Sequence, residues 1–229
     1  METIYLSPSD FAFLFLESKW GFSQKYRQGI KRPPVIIPKI FNVIDSCIKS
    51  KYANQNLSDT AKSLPDAILV EADQWIKSKP ITNANYPDVE IVIRGKIDGV
   101  LKYADGTHTV IDFKTSEINE NYLKNYINQL SCYAYSMRFP NSSKDFSLNV
   151  NDKVGLFVFQ PKEFMIDYTS KAGIKGMLEY FEYDFNAEVF ENFIKDEIIP
   201  FLMGPEPKPE DSDPCWVYLK QFGFEYEQE

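Results

Sequence analysis

Cysteine is scarce. Cys47, Cys132 and Cys215 stand far apart in a chain of 229 residues, with no Cys-x-x-Cys pair among them. That excludes a disulfide framework and a structural zinc site, and makes a reducing, cytoplasmic setting the expectation. Long apolar runs are missing too. "FAFLFL", residues 11–16, follows no basic stretch and is too short for a membrane span or a secretion signal. Positive charge is in deficit as well. The 25 Lys and Arg against 33 Asp and Glu leave a net charge of -8, which taken alone argues against a nucleic-acid partner.

What is present is a core. With 44% hydrophobic and 15% aromatic residues the chain can bury one, and 229 residues fit a single domain. The charge is uneven along the sequence. Between Lys19 and Lys51 lie eight basic residues, Lys31 and Arg32 among them, and one acid, Asp45. From Glu179 onward there are 14 acids and three lysines. This asymmetry points to a phosphate-facing N-terminal region and a solvated acidic C-terminal region. Two ordinary charged surfaces that cancel in the fold would give the same distribution.

"SPSDFAFLFLESK" reads as a helix start, with Ser7 as N-cap, Pro8 at the first helical position and Asp10 completing a capping box. "RPPVIIP" breaks the chain. Helical spacing returns over 37–52 (Ile37, Ile40, Phe41, Ile44, Ile48), and a third helix is predicted over 66–79. The character then changes. "VEIVIRGKIDGVLKY" and "HTVIDFKT", joined by an Asp-Gly turn, predict a hairpin over 89–115. A helix follows over 121–138, then a buried strand "KVGLFVFQ", peripheral strands including "GMLEYFEYDF", and a last helix from about 187 to 202 capped by Asn186. The order predicts an α/β fold around a mixed sheet, with a helical region over residues 1–80, a core over 85–160 and a periphery over 161–229.

Asp98 and Asp112 interrupt the apolar pattern of the two hairpin strands. Half-buried carboxylates on adjacent strands repel unless a cation lies between them. Mg²⁺ takes such oxygen ligands and keeps waters and substrate phosphate as the rest of its shell. Lys114, two residues beyond Asp112, shares its strand face and suits an attacking water or phosphorane charge. On its own, an Asp-x-Lys strand is also what a surface hairpin with an ion pair looks like. His108, the only histidine, sits by the hairpin turn and is expected to face solvent. Most aromatics, Trp20, Trp75 and Trp216 among them, are expected in the core, with base stacking in a single-strand channel the other use.

The wider pattern is more specific. "GKID", eleven residues, "VIDFKT" and a following helix with "QLSCY" closely resemble the RecB-like branch of the PD-(D/E)XK nuclease superfamily. That branch includes the nuclease domains of bacterial recombination helicases and the nucleases of CRISPR adaptation. The resemblance covers residues 89–160, with a looser echo in "YLSPSD". It implies a restriction-endonuclease-like core, a mixed central β-sheet flanked by helices. It makes Asp98, Asp112 and the backbone carbonyl of Phe113 ligands of Mg²⁺ or Mn²⁺, and Lys114 the catalytic lysine. Gln129 and Tyr133 match the family's Gln-x-x-x-Tyr, Gln129 steadying the lysine or the water and Tyr133 meeting substrate. Three departures stand out. No histidine precedes Asp98, and Asp45 is the carboxylate nearest that place. Only Cys215 remains where relatives carry a cysteine group, so no iron–sulfur cluster is expected, and Cys47 and Cys132 are read as small buried hydrophobes. Ile97 stands where the superfamily's proline would be.

The resemblance implies a Mg²⁺- or Mn²⁺-dependent deoxyribonuclease, with exonuclease the expected mode. Its partners would be DNA, single-stranded or with duplex ends, and a helicase or recombination protein, with no membrane. Its settings would be repair, recombination or phage and defence DNA processing. Lys31 and Arg32 are the candidate DNA contacts. The alternative is a catalytically inactive DNA-binding or structural protein on the same fold.

Overall fold

Strands, not helices, dominate residues 68–115. The computed structural model describes residues 1–31, 38–61, 63–71, 73–117, 119–169 and 171–223. Arg32, Ile37 and the acidic end beyond Gly223 lie outside them, as does most of "RPPVIIP". In the first sheet β1 (Glu2–Leu6) runs parallel to the eight-residue β5 (Val89–Lys96), while β3 (Trp75–Lys77) and β4 (Ile81–Thr82) pair with β5 antiparallel. The second sheet has the order β2 (Ile68–Glu71), β6 (Gly99–Lys102), β7 (His108–Thr115), β8 (Val150–Ile166), β9 (Ala172–Asp184). Its one parallel pair, β7 with β8, is the one joined by a long crossover.

The helices are α1 (Phe15–Glu17), α2 (Lys19–Ser23), α3 (Lys39–Tyr52), α4 (Glu120–Arg138), α5 (Ala187–Phe193), α6 (Ile199–Met203) and α7 (Pro214–Gln221). α4 is the β7–β8 crossover. It covers one face of the second sheet, in a core holding Leu6, Phe22, Ile91, Val110, Leu130 and Leu156. α3 lies against the other face, where Ile48 and Tyr52 pack on Leu69, Ile111, Phe113 and Phe157. Strand alternation divides β7 accordingly. Val110 faces the α4 side, Ile111 and Phe113 the α3 side, and Asp112 and Lys114 follow Val110. The architecture is mixed α/β, with mixed sheets flanked by helices.

Several expectations are corrected. Residues 66–79 are strands β2 and β3. Ile68 and Trp75 are exposed while Leu69 and Ile76 are buried, a period of two, and Asp73 at φ 38° breaks the backbone between them. The long first strand of the hairpin is two strands in two sheets, parted at Ile97–Asp98. Ile97 is fully buried there and its N–H donates to the Gln74 carbonyl at 3.0 Å. Asp10 closes no capping box: its carboxylate receives the Lys25 ammonium and the Tyr26 hydroxyl, and Ser7 N–H donates to Tyr26 Oη at 3.1 Å. Cys47 is not buried but exposed on α3, in an open cleft between the helix and the β8–β9 strands; Cys132 and Cys215 are buried. Trp20 and Trp216 meet edge to face, whereas Trp75 is exposed beneath Arg94. His108 opens β7 half-buried, in register with Lys102 and Val150, rather than facing solvent. β8 runs on through Pro161, where its register with β9 shifts, into a tip that exposes Phe164, Ile166 and Tyr168.

Candidate active site

The parting of β5 from β6 makes a notch. β6 begins at Gly99, opposite Ile111, so Asp98 lies just off its end and faces the next position of β7, Asp112. Beyond Ile111 the β6 side of β7 has no partner strand among the described residues. At the turn, Tyr103 N–H donates to the Thr107 carbonyl at 3.0 Å. Antiparallel alternation then turns the backbone groups of Thr107, Thr109 and Ile111 toward β6, and those of Phe113 into the gap. Backbone and side-chain oxygens thus meet at one place.

The two aspartates differ in setting. The side chain of Asp112 is 4% exposed and that of Asp98 37%. Burial pushes the Asp112 carboxyl up, to about 6; Lys114 opposes the shift and the Asp98 carboxylate adds to it. Lys114 forms an ion pair with Asp112 and sits over the Tyr126 ring, its Nζ 4.9 Å from the centroid. One turn further along α4, Gln129 Nε2 donates to Tyr133 Oη at 3.0 Å, and both side chains are buried. Gln129 therefore holds Tyr133 rather than Lys114. Burial raises the Tyr133 hydroxyl far above its ordinary range, although the Gln129 hydrogen bond works the other way, and Asp112 and Asp98 raise it further. It stays protonated, a donor and not a base. Gly95 makes room for it: a Cβ there would lie 2.8 Å from Pro8 Cγ and 3.1 Å from Tyr133 Cε1. The Ser7–Asp10 segment thus borders this region through Pro8.

α3 supplies the component that spacing did not reveal. Lys49 Nζ lies 2.8 Å from Asp45 Oδ2 and 3.2 Å from Asp98 Oδ1, and 5.5 Å from the centroid of the Phe113 ring. Burial works to lower the Lys49 ammonium, but Asp45 and Asp98 outweigh it and the net shift is upward. Asp45 and Lys49 are one helical turn apart, which is the signal that could have paired them. Asp45 is thus brought to the cluster, with its Oδ1 buried and unbonded. The basic stretch is not one free surface: Lys25, Arg27 and Lys49 all have internal partners, while Lys31 is exposed.

These donors suit a hard divalent ion. Two adjacent carboxylates, one of them raised by burial, and a backbone carbonyl are the kind of partial cage that Mg²⁺ completes with waters and phosphate. Among the described residues no group of three or more His, Cys, Asp or Glu side chains is placed to hold a metal ion by itself.

No family model matches the chain, and no curated protein does. Among solved structures, the crystal structure of SSO0001 is similar over 96% of this chain and 86% of that one, at 14% identity and a TM-score of 0.42. A likeness of that depth carries no argument about activity.

Proposed function

We propose that the protein is a Mg²⁺- or Mn²⁺-dependent deoxyribonuclease with a restriction-endonuclease-like core of the RecB-like type, acting as an exonuclease on single-stranded DNA or duplex ends. The observation that carries this reading is the notch: Asp98 opposite Asp112, Lys114 on the same strand face, and the Phe113 backbone turned into the same gap. Asp98, Asp112 and the Phe113 carbonyl would hold the ion, with Asp45 the further carboxylate in reach. A bound divalent ion supplies a water of lowered pKa and neutralises phosphate charge. The chain's own residues do the rest. Lys114, steadied by Asp112 and the Tyr126 ring, would donate hydrogen bonds to the attacking water and to the phosphoryl oxygens on which charge develops. Tyr133, steadied by Gln129, has its hydroxyl proton free to donate to a phosphate oxygen. The Asp112 carboxyl is raised by burial, and a divalent cation beside it would favour its ionised form.

The Lys49 ion pairs favour a second reading, a DNA-binding or structural protein on the same fold in which an ammonium permanently holds Asp98 to Asp45. Incubation of 5′-labelled single-stranded and duplex DNA with the protein and Mg²⁺, Mn²⁺ or EDTA separates the two. Metal-dependent shortening of the label that vanishes in Asp98→Ala supports the nuclease. Intact DNA under every condition leaves only the second.

A further inference from the structure

We propose that Lys49 sets the metal affinity of the centre: its ammonium ties the ligand Asp98 to Asp45, and so competes for Asp98 with the divalent ion. The proposal rests on the nuclease reading and adds to it a residue that competes with the metal.

The geometry leaves little choice of partner. One Nζ contacts an oxygen of each carboxylate, at 2.8 and 3.2 Å, and the third side of the ammonium faces the Phe113 ring. The Lys49 side chain is 14% exposed, so water does not replace those partners where it stands. Its direction is set by α3, whose neighbouring Ile48 packs into the second core. A metal ion bound through Asp98 would draw on the same carboxylate charge that Lys49 now holds through Oδ1.

Charge makes the exchange favourable. The cluster holds three carboxylates (Asp45, Asp98, Asp112) and two ammoniums (Lys49, Lys114), a formal charge of one negative. A divalent ion added to all five groups would leave the cluster positive, with an ammonium against the metal. With Lys49 withdrawn the same ion brings the cluster to neutrality. Lys49 can withdraw: its flexible four-carbon stem lies beside Asp98, the exposed carboxylate of the site. Lys114 has no such role, because its partner is the buried Asp112.

The test is Mn²⁺ binding to the metal-free full chain without DNA, followed by calorimetry and by the melting temperature. Removing a competing partly buried ion pair, Lys49→Met should bind Mn²⁺ about five- to tenfold more tightly than wild type. Lys49→Arg, which keeps the cation, should bind no more tightly. The melting-temperature gain from Mn²⁺ should be larger in Lys49→Met, since its metal-free form has lost the internal cation. A purely structural lysine would give Lys49→Met equal or weaker binding, and that result overturns the proposal. Should Lys49→Met fold poorly, Lys49→Gln, neutral and still a hydrogen-bond donor, carries the same comparison. Wild-type binding without tightening in the variants removes the role of Lys49 alone. Absence of Mn²⁺ binding in all of them removes the metal centre as well.

Discussion

Glu191 and Asp112 are both carboxylates set among lysines and tyrosines, yet their carboxyls shift in opposite directions. On α5, Glu191 accepts from Tyr135 Oη at 2.5 Å and Lys195 Nζ at 2.6 Å and faces Lys79 at 3.0 Å. Burial works to raise it, but these donors outweigh burial and hold it down, to about 2. On β7, burial raises Asp112 to about 6, Lys114 opposes the rise, and Asp98 adds to it. The first is a complete ion network that ties α4, α5 and the segment after β3 together. In the second, burial outweighs the one lysine that reaches the carboxylate. The two clusters differ in burial and in the number of donors each carboxylate receives.

Substitution at the two sites breaks the comparison most sharply. Asp98→Ala, Asp112→Ala and Lys114→Ala should each lower cleavage by roughly a thousandfold or more, since the three act as one unit. Glu191→Gln should leave the cleavage rate unchanged, read in the same labelled-DNA assay. Tyr133→Phe keeps the ring and loses one donor to a charged oxygen, so single-turnover cleavage should fall about ten- to a hundredfold.

The pH dependence of stability sharpens it next. The Asp112 carboxyl is higher in the folded chain than its ordinary value of 3.8, so the folded metal-free protein binds the extra proton. Stability associated with that proton is present below about pH 4 and is lost as pH rises toward 6. Asp112→Asn should therefore stabilise the metal-free protein at neutral pH, on the order of 1–3 kcal/mol, while removing activity. Glu191 has the opposite sign: its contribution is present above the ordinary carboxylate value and is lost as pH falls toward 2. Glu191→Gln should destabilise at neutral pH and flatten the acid limb of a urea-unfolding series. The smallest effect concerns DNA binding in Ca²⁺. Reversing Lys31 and Arg32 to Glu should weaken binding evenly across sequences, and flatten the salt slope by roughly 0.7 to 0.9 for each lost phosphate contact.

Much of the site was legible in period-two and one-turn spacings. Asp112 and Lys114 share a strand face, Gln129 and Tyr133 a helix face, and Asn186 caps α5, accepting from Glu188 and Val189 N–H at 3.0 Å each. Such relations are local. What stayed hidden depends on tertiary placement. Lys49 reaches Asp98 only because α3 packs its Ile48 and Tyr52 face against β7. The run 89–103 is rich in β-branched residues on both sides of Asp98-Gly99, a turn dipeptide that does mark the parting but does not say that the two strands belong to different sheets. Residues 66–79 contain enough apolar positions to match a helix, and their alternation emerges only when β5 and β6 provide partners. The Asp10 box failed because Lys25 and Tyr26, distant in sequence, are better partners than the local backbone.

The central claim, that the notch at Asp98 and Asp112 binds a divalent cation, is tested most directly by melting the protein at pH 7.5 with and without Mn²⁺. At about a hundred times the dissociation constant the ion should stabilise the wild type by about 2.7 kcal/mol, a rise of roughly 5–10 °C. Glu191→Gln should show the same rise and Asp98→Ala none. A wild type indifferent to Mn²⁺, or a rise that survives in Asp98→Ala, would contradict it.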